Sequence, residues 1–324
     1  TSFIIDDEAV VEQPVINEEA GTIVFAVNEE VESLKFTPII EISEGATITP
    51  ASGVAQDFSN NKKVTYTVTA EDGTVKVYTA FVEGTRKVLK YSFEDWKEGS
   101  KNDELLPKDL WAGSAAGAGI LGGTLLRKET REDGTYAAKL ITFEYPNEPN
   151  SLVPKITAGS IFIGKFDMMP ALQGDRLSCT KFGLDAETVS LGGKPLRFKG
   201  VYKYESGSNY LDASNYEDVK PVDIKDKGQI QAVLYKVQTG EDGKEIVLTG
   251  HDVNTSELRV AVANIIVEDI KEYTPFNIEF EYLQEYDRNA KYKFAIVCSS
   301  SKDGDKFSGA PGSVLYVDDL EVTF

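Results

Sequence analysis

The sequence has few of the residues from which metal and nucleophilic sites are usually built. Its 324 residues include two cysteines, Cys179 and Cys298, and one histidine, His251. A structural zinc site takes four Cys or His ligands, and three such residues do not complete one. A Ser–His–Asp or Cys–His centre would have to use His251, whose place beside Asp252 is explained equally well by hydrogen bonding in a turn. We expect both cysteines to be buried thiols, with one disulfide as the alternative.

Clustered positive charge and long apolar runs are missing as well. The chain holds 34 Lys and Arg against 53 Asp and Glu, a net charge of −19. Nucleic-acid backbones and anionic membrane surfaces both need clustered cations, so neither is an expected partner. No apolar run approaches the roughly 20 residues of a membrane-spanning helix. Because the first residue is Thr1, we expect a processed or truncated start.

One glycine-rich motif resembles a phosphate-binding loop in spelling alone. The run GAGILGG, Gly117–Gly123, matches G-x-G-x-x-G. Such a loop binds phosphate when it follows a strand and opens a helix. Here Trp-Ala-Gly-Ser-Ala-Ala precedes it, and the following Thr-Leu-Leu-Arg is typical of a strand. The sequence therefore predicts a flexible loop and no nucleotide site.

The patterns that are present predict an all-β protein of two domains. In residues 1–86, alternating apolar residues mark short strands, and the turn Glu71-Asp72-Gly73 marks a hairpin. Short strands separated by turns favour an immunoglobulin-like β-sandwich. One strand ends and another begins near Arg86, so we place a second domain at 87–324.

The second domain carries strand patterns and no persuasive amphipathic helix. A single sheet of so many strands would curl or split, which predicts a two-sheet jelly roll. We expect the last strand to pair with the one that opens at Val88. The predicted strands are Tyr136–Phe143, Ser160–Phe166, Leu196–Tyr204, Gln229–Val237, Glu245–Leu248, Leu258–Val267, Phe276–Tyr282, Tyr292–Cys298 and Val314–Val322.

Residues Gly45–Glu83, GATITPASGVAQDFSNNKKVTYTVTAEDGTVKVYTAFVE, resemble a known kind of domain. They are similar to the Ig-like spacer domains of surface lipoproteins from glycan-digesting Gram-negative gut bacteria. That resemblance implies a spacer that holds a binding domain away from the membrane. In those lipoproteins a lipidated cysteine precedes the spacer, and this sequence lacks one, so anchoring is inferred from the resemblance.

The second domain resembles the putative carbohydrate metabolism domain (PCMD) family over nearly all of 87–324. The resemblance implies a jelly roll related to carbohydrate-binding modules and attached to sugar-utilisation systems. It also implies secretion through the inner membrane, as an outer-membrane lipoprotein or a periplasmic protein, and a role beside other glycan-uptake proteins. The matching motifs are YSFEDW (Tyr91–Trp96), LPKDLW (Leu106–Trp111), TAGSIFIGKF (Thr157–Phe166), FKGVYKY (Phe198–Tyr204), LTG (Leu248–Gly250) and CSSSKDGDKFSGAPGSVLYVDDLEV (Cys298–Val322).

Two carboxylates at the ends of this domain suggest a cation site. In several jelly-roll carbohydrate-binding modules a Phe-Glu opening and an Asp on the last strand hold a structural calcium ion, and Glu94 and Asp318 resemble that pair. Ca²⁺ takes six to eight oxygen ligands, which backbone carbonyls could help to supply. The alternative is two unrelated, solvated carboxylates. Asp318 and its neighbour Asp319 are expected on opposite faces of the strand.

Aromatic and polar residues suggest where a sugar would bind. Sugars stack on aromatic rings while polar side chains bind their hydroxyls. Tyr202 and Tyr204 share one predicted strand face, and the loop Ser299–Gly309 is polar. Core packing is the alternative for the rings, and simple exposure for the loop. The predicted substrate-binding residues are Trp111, Tyr202, Tyr204, Tyr210, Lys199, Lys302 and Asp305.

Three functions remain open on this basis: binding of an oligo- or polysaccharide, glycoside hydrolysis, and structural assembly. Hydrolysis needs two carboxylates about 5 to 9.5 Å apart. With 53 acidic residues the sequence does not select a pair, so the catalytic residues stay unknown. Because of the aromatic set and the resemblance, we expect glycan binding.

Overall fold

The structure is a computed structural model that describes residues 2–146, 148–150 and 152–324. It divides into two compact units, Thr1–Val88 together with Thr323–Phe324, and Leu89–Val322. Nearly all of the regular secondary structure in both units is β-strand, which confirms the predicted all-β class. No helix among the described residues is long and apolar enough to cross a membrane.

The first unit contains a mixed five-stranded sheet with strand order β2-β3-β9-β8-β6, in which β3 and β9 run parallel. The predicted hairpin turn joins β8 to β9, where Gly73 has φ of +84° and Asp72 accepts a hydrogen bond from the amide of Thr74. Two small two-stranded sheets, β1-β5 and β4-β7, complete the unit. Its strands are β1 (Ser2–Ile4), β2 (Val10–Asn17), β3 (Thr22–Asn28), β4 (Lys35–Phe36), β5 (Ile39–Glu41), β6 (Thr47–Thr49), β7 (Gln56–Asp57), β8 (Val64–Thr69) and β9 (Val75–Arg86).

Aromatic residues form the core of the first unit. The rings of Phe25, Phe36 and Phe58 contact one another, and Phe3 meets Tyr66 edge-on at 5.2 Å between ring centroids. Edge-to-face pairs of this kind add about 0.5–1.5 kcal/mol to the gain from burial. The unit therefore has a core of its own, while its immunoglobulin-like topology stays a prediction.

The second unit holds the remaining elements. Its strands are β10 (Val88–Tyr91), β11 (Trp96–Lys97), β12 (Glu104–Leu105), β13 (Trp111–Gly113), β14 (Leu126–Thr130), β15 (Tyr136–Ile141), β16 (Phe143–Glu144), β17 (Ile156–Thr157), β18 (Ser160–Phe166), β19 (Thr180–Phe182), β20 (Leu184–Asp185), β21 (Arg197–Glu205), β22 (Tyr210–Asp212), β23 (Lys220–Val222), β24 (Gly228–Lys236), β25 (Leu248–Thr249), β26 (Arg259–Val267), β27 (Ile270–Glu279), β28 (Glu281–Tyr282), β29 (Tyr292–Ser299) and β30 (Val314–Thr323). Its helices are α1 (Ala115–Ala118) and α2 (Met169–Leu172), with 3₁₀ turns at Leu177–Cys179 and Gly304–Lys306.

Two large sheets make the second unit a β-sandwich. In the part of the chain that the structure describes, the smaller sheet has six strands in the order β14-β15-β30-β21-β27, with β10 also paired to β30. The larger sheet has nine strands in the order β25-β19-β18-β29-β24-β26-β28, with β13 and β20 attached to β18 and β29. The expected pairing of the last strand with the one opening at Val88 is confirmed.

Strand β29 lies at the centre of the larger sheet and is buried on both faces. Phe294, Ile296 and Cys298 point to one face and Ala295 and Val297 to the other, and none is more than 7% exposed. The first face packs into the sandwich core. The second belongs to a separate apolar cluster with Phe162, Phe182 and Val233. Apolar layers on both faces of β29 indicate that further chain covers the outer side of the nine-stranded sheet.

Candidate functional site

A pocket of about 160 Å³ lies on that outer side. Its floor comes from β18, β24 and β29, whose pairing places Ser160 and Gln229 on either side of Ser299. One register step along, Phe162 and Gln231 flank Val297 in the same way. Residues paired across neighbouring strands share a face. The floor therefore has one row of polar side chains, and beside it a second row in which the apolar Val297 and the polar Gln231 line the pocket.

Loops form the walls of this pocket, and most of their contacting side chains are apolar. The aromatic members are Tyr145, Phe166, Phe182 and Phe307, and Leu177 and Val253 lie among them. A largely apolar concavity with a few placed polar groups is the usual composition of a small-ligand site. The remaining lining residues include Ser114, Leu121, Leu152, Met168, Arg176, Cys179, Thr180, Asn254, Ser301, Lys302 and Asp305.

Three polar side chains form a hydrogen-bonded chain from the floor to the wall. Gln231 is 2% exposed and donates from Nε2 to Oδ1 of Asn254 at 3.0 Å. Asn254 donates from Nδ2 to Oδ2 of Asp305 at 3.2 Å. The other oxygen of Asp305, Oδ1, is buried and has no hydrogen-bond partner among the described residues. A buried acceptor without a donor is costly, so this oxygen can receive a ligand hydroxyl.

The loop that carries Lys302 and Asp305 is fixed by a buried carboxylate, Asp226. Its oxygens accept hydrogen bonds from the Ser301 hydroxyl at 2.9 Å and from the Ser313 hydroxyl and Ala310 amide at 2.8 Å. Burial raises the pKa of Asp226, and these donors act against the rise. Since the bonds reach both ends of the loop, Asp226 positions it over the pocket.

Arg176 stands at the pocket wall beside two aromatic rings. Its guanidinium carbon lies 4.4 Å from the centroid of Phe307 and 5.9 Å from that of Tyr216. Burial lowers the pKa of Arg176. Phe307 itself has φ of +54°, a left-handed backbone conformation that is uncommon for an aromatic residue. Strained residues of this kind concentrate at functional sites.

Two known protein families match the chain. Residues 64–323 match the family described as "Putative carbohydrate metabolism domain", and residues 1–82 match "SGBP, N-terminal". The chain belongs to the putative carbohydrate metabolism domain family. The first match spans well over half of the sequence, and it confirms the resemblance drawn from the motifs.

Two solved structures are similar to this PCMD protein. One is described as a putative glycoside hydrolase from Bacteroides thetaiotaomicron, with 30% identity, a TM-score of 0.62, and coverage of 99% of this chain and 94% of that one. The other is described as a putative glycoside hydrolase from Bacteroides vulgatus, with 29% identity, a TM-score of 0.58, and coverage of 72% and 96%. No curated protein matched the chain.

The structure separates the predicted binding residues of the PCMD protein into two groups. Lys302 and Asp305 line the pocket, as a ligand-contacting loop requires. The rings of Trp111 and Tyr204 do not: Trp111 packs edge-on against Tyr91 and Phe93, and Tyr204 is 0% exposed. Their predicted stacking on sugar is wrong for this conformation, because both rings are used in the core.

The other predicted residues also lie away from the pocket. Tyr210 is buried and donates its hydroxyl to Asp303 at 2.8 Å, so it supports the loop from behind. Tyr202 and Lys199 lie on β21 of the six-stranded sheet, where Tyr202 contacts Phe276. The predicted binding face on this strand is therefore not part of the pocket.

Of the two carboxylates expected to hold calcium in the PCMD protein, Asp318 contacts a side-chain cation, Arg131. Arg131 donates to Oδ2 of Asp318 at 2.6 Å, while Oδ1 of Asp318 accepts from the Phe93 amide at 3.3 Å. Glu94 lies nearby and accepts from the Tyr136 amide at 3.1 Å. The described residues contain no group of three or more His, Cys, Asp or Glu suited to a metal. Arg131 balances the charge of Asp318, and the calcium site expected from Glu94 and Asp318 stays a prediction.

The predicted opposite orientation of Asp318 and Asp319 is also wrong. Arg131 Nη1 lies 2.6 Å from Asp318 and 2.7 Å from Asp319. Asp319 has φ of +50°, which interrupts the alternation of the strand and turns its carboxylate back to Arg131. Burial raises the pKa of Asp318, and the ion pair with Arg131 acts against that rise.

The sparse Cys and His residues take structural roles. Both cysteines are buried and unbonded, as predicted. His251 contacts Asp175 at 2.7 Å, and Ser178 donates to the other oxygen of that carboxylate. This order places the carboxylate between the hydroxyl and the imidazole, so it does not form a Ser–His–Asp relay.

Sequence reasoning missed Gln229, Gln231, Asn254 and Arg176. The two glutamines interrupt an otherwise apolar strand at spacing two, GQIQAVLYK. A pair of amides on one face of a buried strand was the signal that could have located the floor.

Proposed function

We propose that this protein binds an oligo- or polysaccharide in the pocket on the outer face of the nine-stranded sheet. The observation that carries the proposal is the chain Gln231–Asn254–Asp305, which ends beside apolar and aromatic walls in an acceptor that has no donor among the described residues. Sugars present hydroxyl donors on one side and C–H faces on another, so they match both halves of the lining. The family to which the chain belongs supports a carbohydrate ligand.

The surroundings of the pocket favour an extended ligand. Large apolar side chains next to the lining are well exposed, among them Ile120 at 73%, Met169 at 59% and Leu172 at 65%. Leu121 and Leu152 continue this surface from the lining itself. In this proposal they contact further sugar units of the same chain. Assembly with a partner protein through this apolar surface is the competing use.

We place the protein at the cell surface or in the periplasm of a glycan-utilising bacterium, as a lipoprotein of the outer membrane or a periplasmic protein. The match of residues 1–82 and the relatives from Bacteroides support this placement. In that setting it would act beside other glycan-uptake proteins. Fractionation of cells that express the full-length gene product tests the placement, and a cytoplasmic fraction would contradict it.

Glycoside hydrolysis is the second candidate, because both similar structures are described as putative glycoside hydrolases. Hydrolysis requires a second carboxylate near the first. Asp305 is the sole acidic residue among the described residues that line the pocket. We therefore favour binding without turnover.

A glycan array followed by titration of each hit tests the proposal. Asp305→Ala should weaken binding at least tenfold, since a hydrogen bond to a charged acceptor is worth about 1.5–3 kcal/mol. Tyr202→Ala, on the other sheet, should leave affinity unchanged. If Tyr202→Ala weakened binding and Asp305→Ala did not, the binding site would lie at β21. A reducing-sugar assay on the same hits decides between binding and hydrolysis.

A further inference from the structure

We propose that the pocket selects an acidic saccharide, and that Arg176 binds the sugar carboxylate through the edge of its guanidinium group. This inference rests on the proposed function and specifies its ligand class. A uronic acid unit combines the flat C–H faces and hydroxyls of a sugar with one carboxylate. The lining offers a counterpart to each of these parts.

Arg176 has no anionic partner in the part of the chain that the structure describes. Among the described residues, no carboxylate lies within ion-pair distance of its guanidinium, and Nη1 donates a long hydrogen bond, 3.4 Å, to the carbonyl of Asn150. The adjacent carboxylate of Asp175 is bound to His251 and Ser178. A half-buried arginine without a counterion is unusual, since burial of charge is costly unless it is paired. A ligand anion would provide that pairing.

The aromatic rings decide which part of Arg176 a ligand can reach. Phe307 and Tyr216 contact the guanidinium carbon from 4.4 and 5.9 Å. In this inference the rings pack over the faces of the guanidinium and leave its N–H groups at the edge, which is the part that binds a carboxylate with two parallel hydrogen bonds. Stacking also restricts the side chain before the ligand arrives, so less entropy is lost on binding.

The other charges of the pocket do not replace Arg176. Lys302 also lines it, but its ammonium contacts Asp303 at 2.5 Å. Asp305 adds a negative charge to the wall. The chain as a whole carries −19, which repels an acidic saccharide at long range. Arg176 is thus the group in the lining that offsets this repulsion at contact.

The test uses short oligosaccharides of galacturonate, glucuronate and mannuronate, each beside its carboxyl-reduced neutral form. We expect at least one acidic member to bind and its reduced form to bind at least tenfold more weakly. Arg176→Gln should lower affinity for the acidic member at least tenfold and change affinity for neutral forms by less than about twofold. Arg176→Lys, which keeps the charge but loses the two-pronged geometry, should recover part of the affinity.

Arg288→Gln is the matched control, because Arg288 is exposed, lies outside the lining and gives the same change in net charge. It should bind like the wild type. Thermal melting of each variant verifies that it is folded. Equal affinity for acidic and reduced forms, or no effect of Arg176→Gln in a folded variant, overturns this inference and leaves glycan binding intact. Binding restricted to neutral glycans would likewise overturn this inference and leave the proposed glycan binding intact. If no glycan of any class binds, both the inference and the proposed function fail.

Discussion

Phe307 is the residue at which stability and binding are expected to conflict. Its left-handed backbone costs roughly 1–2 kcal/mol, while its ring covers Arg176 and lines the pocket. Asn tolerates this conformation far better. Phe307→Asn should therefore change the free energy of unfolding by less than about 1 kcal/mol, since relieved strain offsets lost contacts, yet weaken glycan binding about tenfold. Denaturant unfolding and titration measure both quantities, and undiminished binding would contradict the role assigned to the ring.

Arg131 is predicted to stabilise the fold in place of a metal. Its removal leaves Asp318, which is 0% exposed, as a buried charge without a partner. Arg131→Ala should cost about 3–5 kcal/mol. The double variant Arg131→Ala with Asp318→Asn should recover much of this, because the orphaned charge is gone.

The same site predicts that chelation has no effect. Incubation with EDTA should leave the melting temperature of the wild type unchanged, whereas a structural calcium ion would make it fall. Calcium-dependent melting together with a mild Arg131→Ala effect would restore the metal site expected from Glu94 and Asp318.

Asp303 should contribute a pH-dependent part of stability. Burial acts to raise its pKa, but Lys302, Tyr210 and Lys306 outweigh burial and hold the pKa below its ordinary value. A group whose pKa is lowered in the folded state stabilises the protein at pH above its unfolded-state pKa. That contribution to stability is lost as the pH falls through the folded-state pKa. Wild type should thus lose more stability than Asp303→Asn between about pH 5 and pH 2. Parallel acid-unfolding curves for the two proteins would rule this out.

At the scale of single residues, composition located part of the site and not the rest. Lys302 and Asp305 were predicted from a polar stretch between two strands, because such stretches become exposed loops. Trp111 and Tyr204 were not distinguishable from binding aromatics, since a ring in a strand serves core or ligand according to the sheet its strand joins and the face to which the ring points. Arg176 carries no local pattern, because Tyr216 and Phe307 approach it from distant parts of the sequence.

At the scale of elements, Gly164 allows one strand to serve two partners. Strand β18 pairs with β29 through Ser160–Phe162 and with β19 through Gly164–Phe166. Gly164 has φ of +151°, and a Cβ there would lie 2.1 Å from the carbonyl oxygen of Lys181. Gly164→Ala should destabilise by more than about 2 kcal/mol, because backbone must move. Gly134, with φ of +88° and open space around it, is the matched control.

The control separates conformational strain from steric exclusion. Gly134→Ala incurs the positive φ alone and should cost about 1 kcal/mol. Chemical denaturation of both variants provides the comparison. Equal losses would show that the close approach to Lys181 is unimportant and that β18 does not depend on this glycine to change partners.

Element positions were largely predictable, whereas few pairings were, apart from the β8–β9 hairpin and the pairing of β10 with β30. The prediction of Ser160–Phe166 agrees with β18 at both ends, and alternation located β24, β26, β29 and β30 to within about two residues. Short strands such as β13 and β19 were missed, since three residues are too few to show a period. The reversal at Asp319 was missed as well, because a single positive φ leaves no trace in the alternation of residue types.

At the scale of the whole molecule, the proposed function places ligand binding in the second unit alone. The pocket lining falls entirely within Leu89–Val322, and the first unit has its own aromatic core. Residues 89–322 expressed alone should therefore bind the glycan with the affinity of the full chain. A folded fragment with weakened binding would show that the first unit contributes directly.

Hydrogen–deuterium exchange with and without a bound oligosaccharide tests the central claim most directly. It locates the ligand without any substitution that could unfold the protein. The account predicts slower exchange in the loops that cover the pocket, at residues 114–121, 250–254 and 299–309, with no change in β21. Protection confined to β21, or to residues 1–86, would contradict the assignment of the pocket as the glycan site.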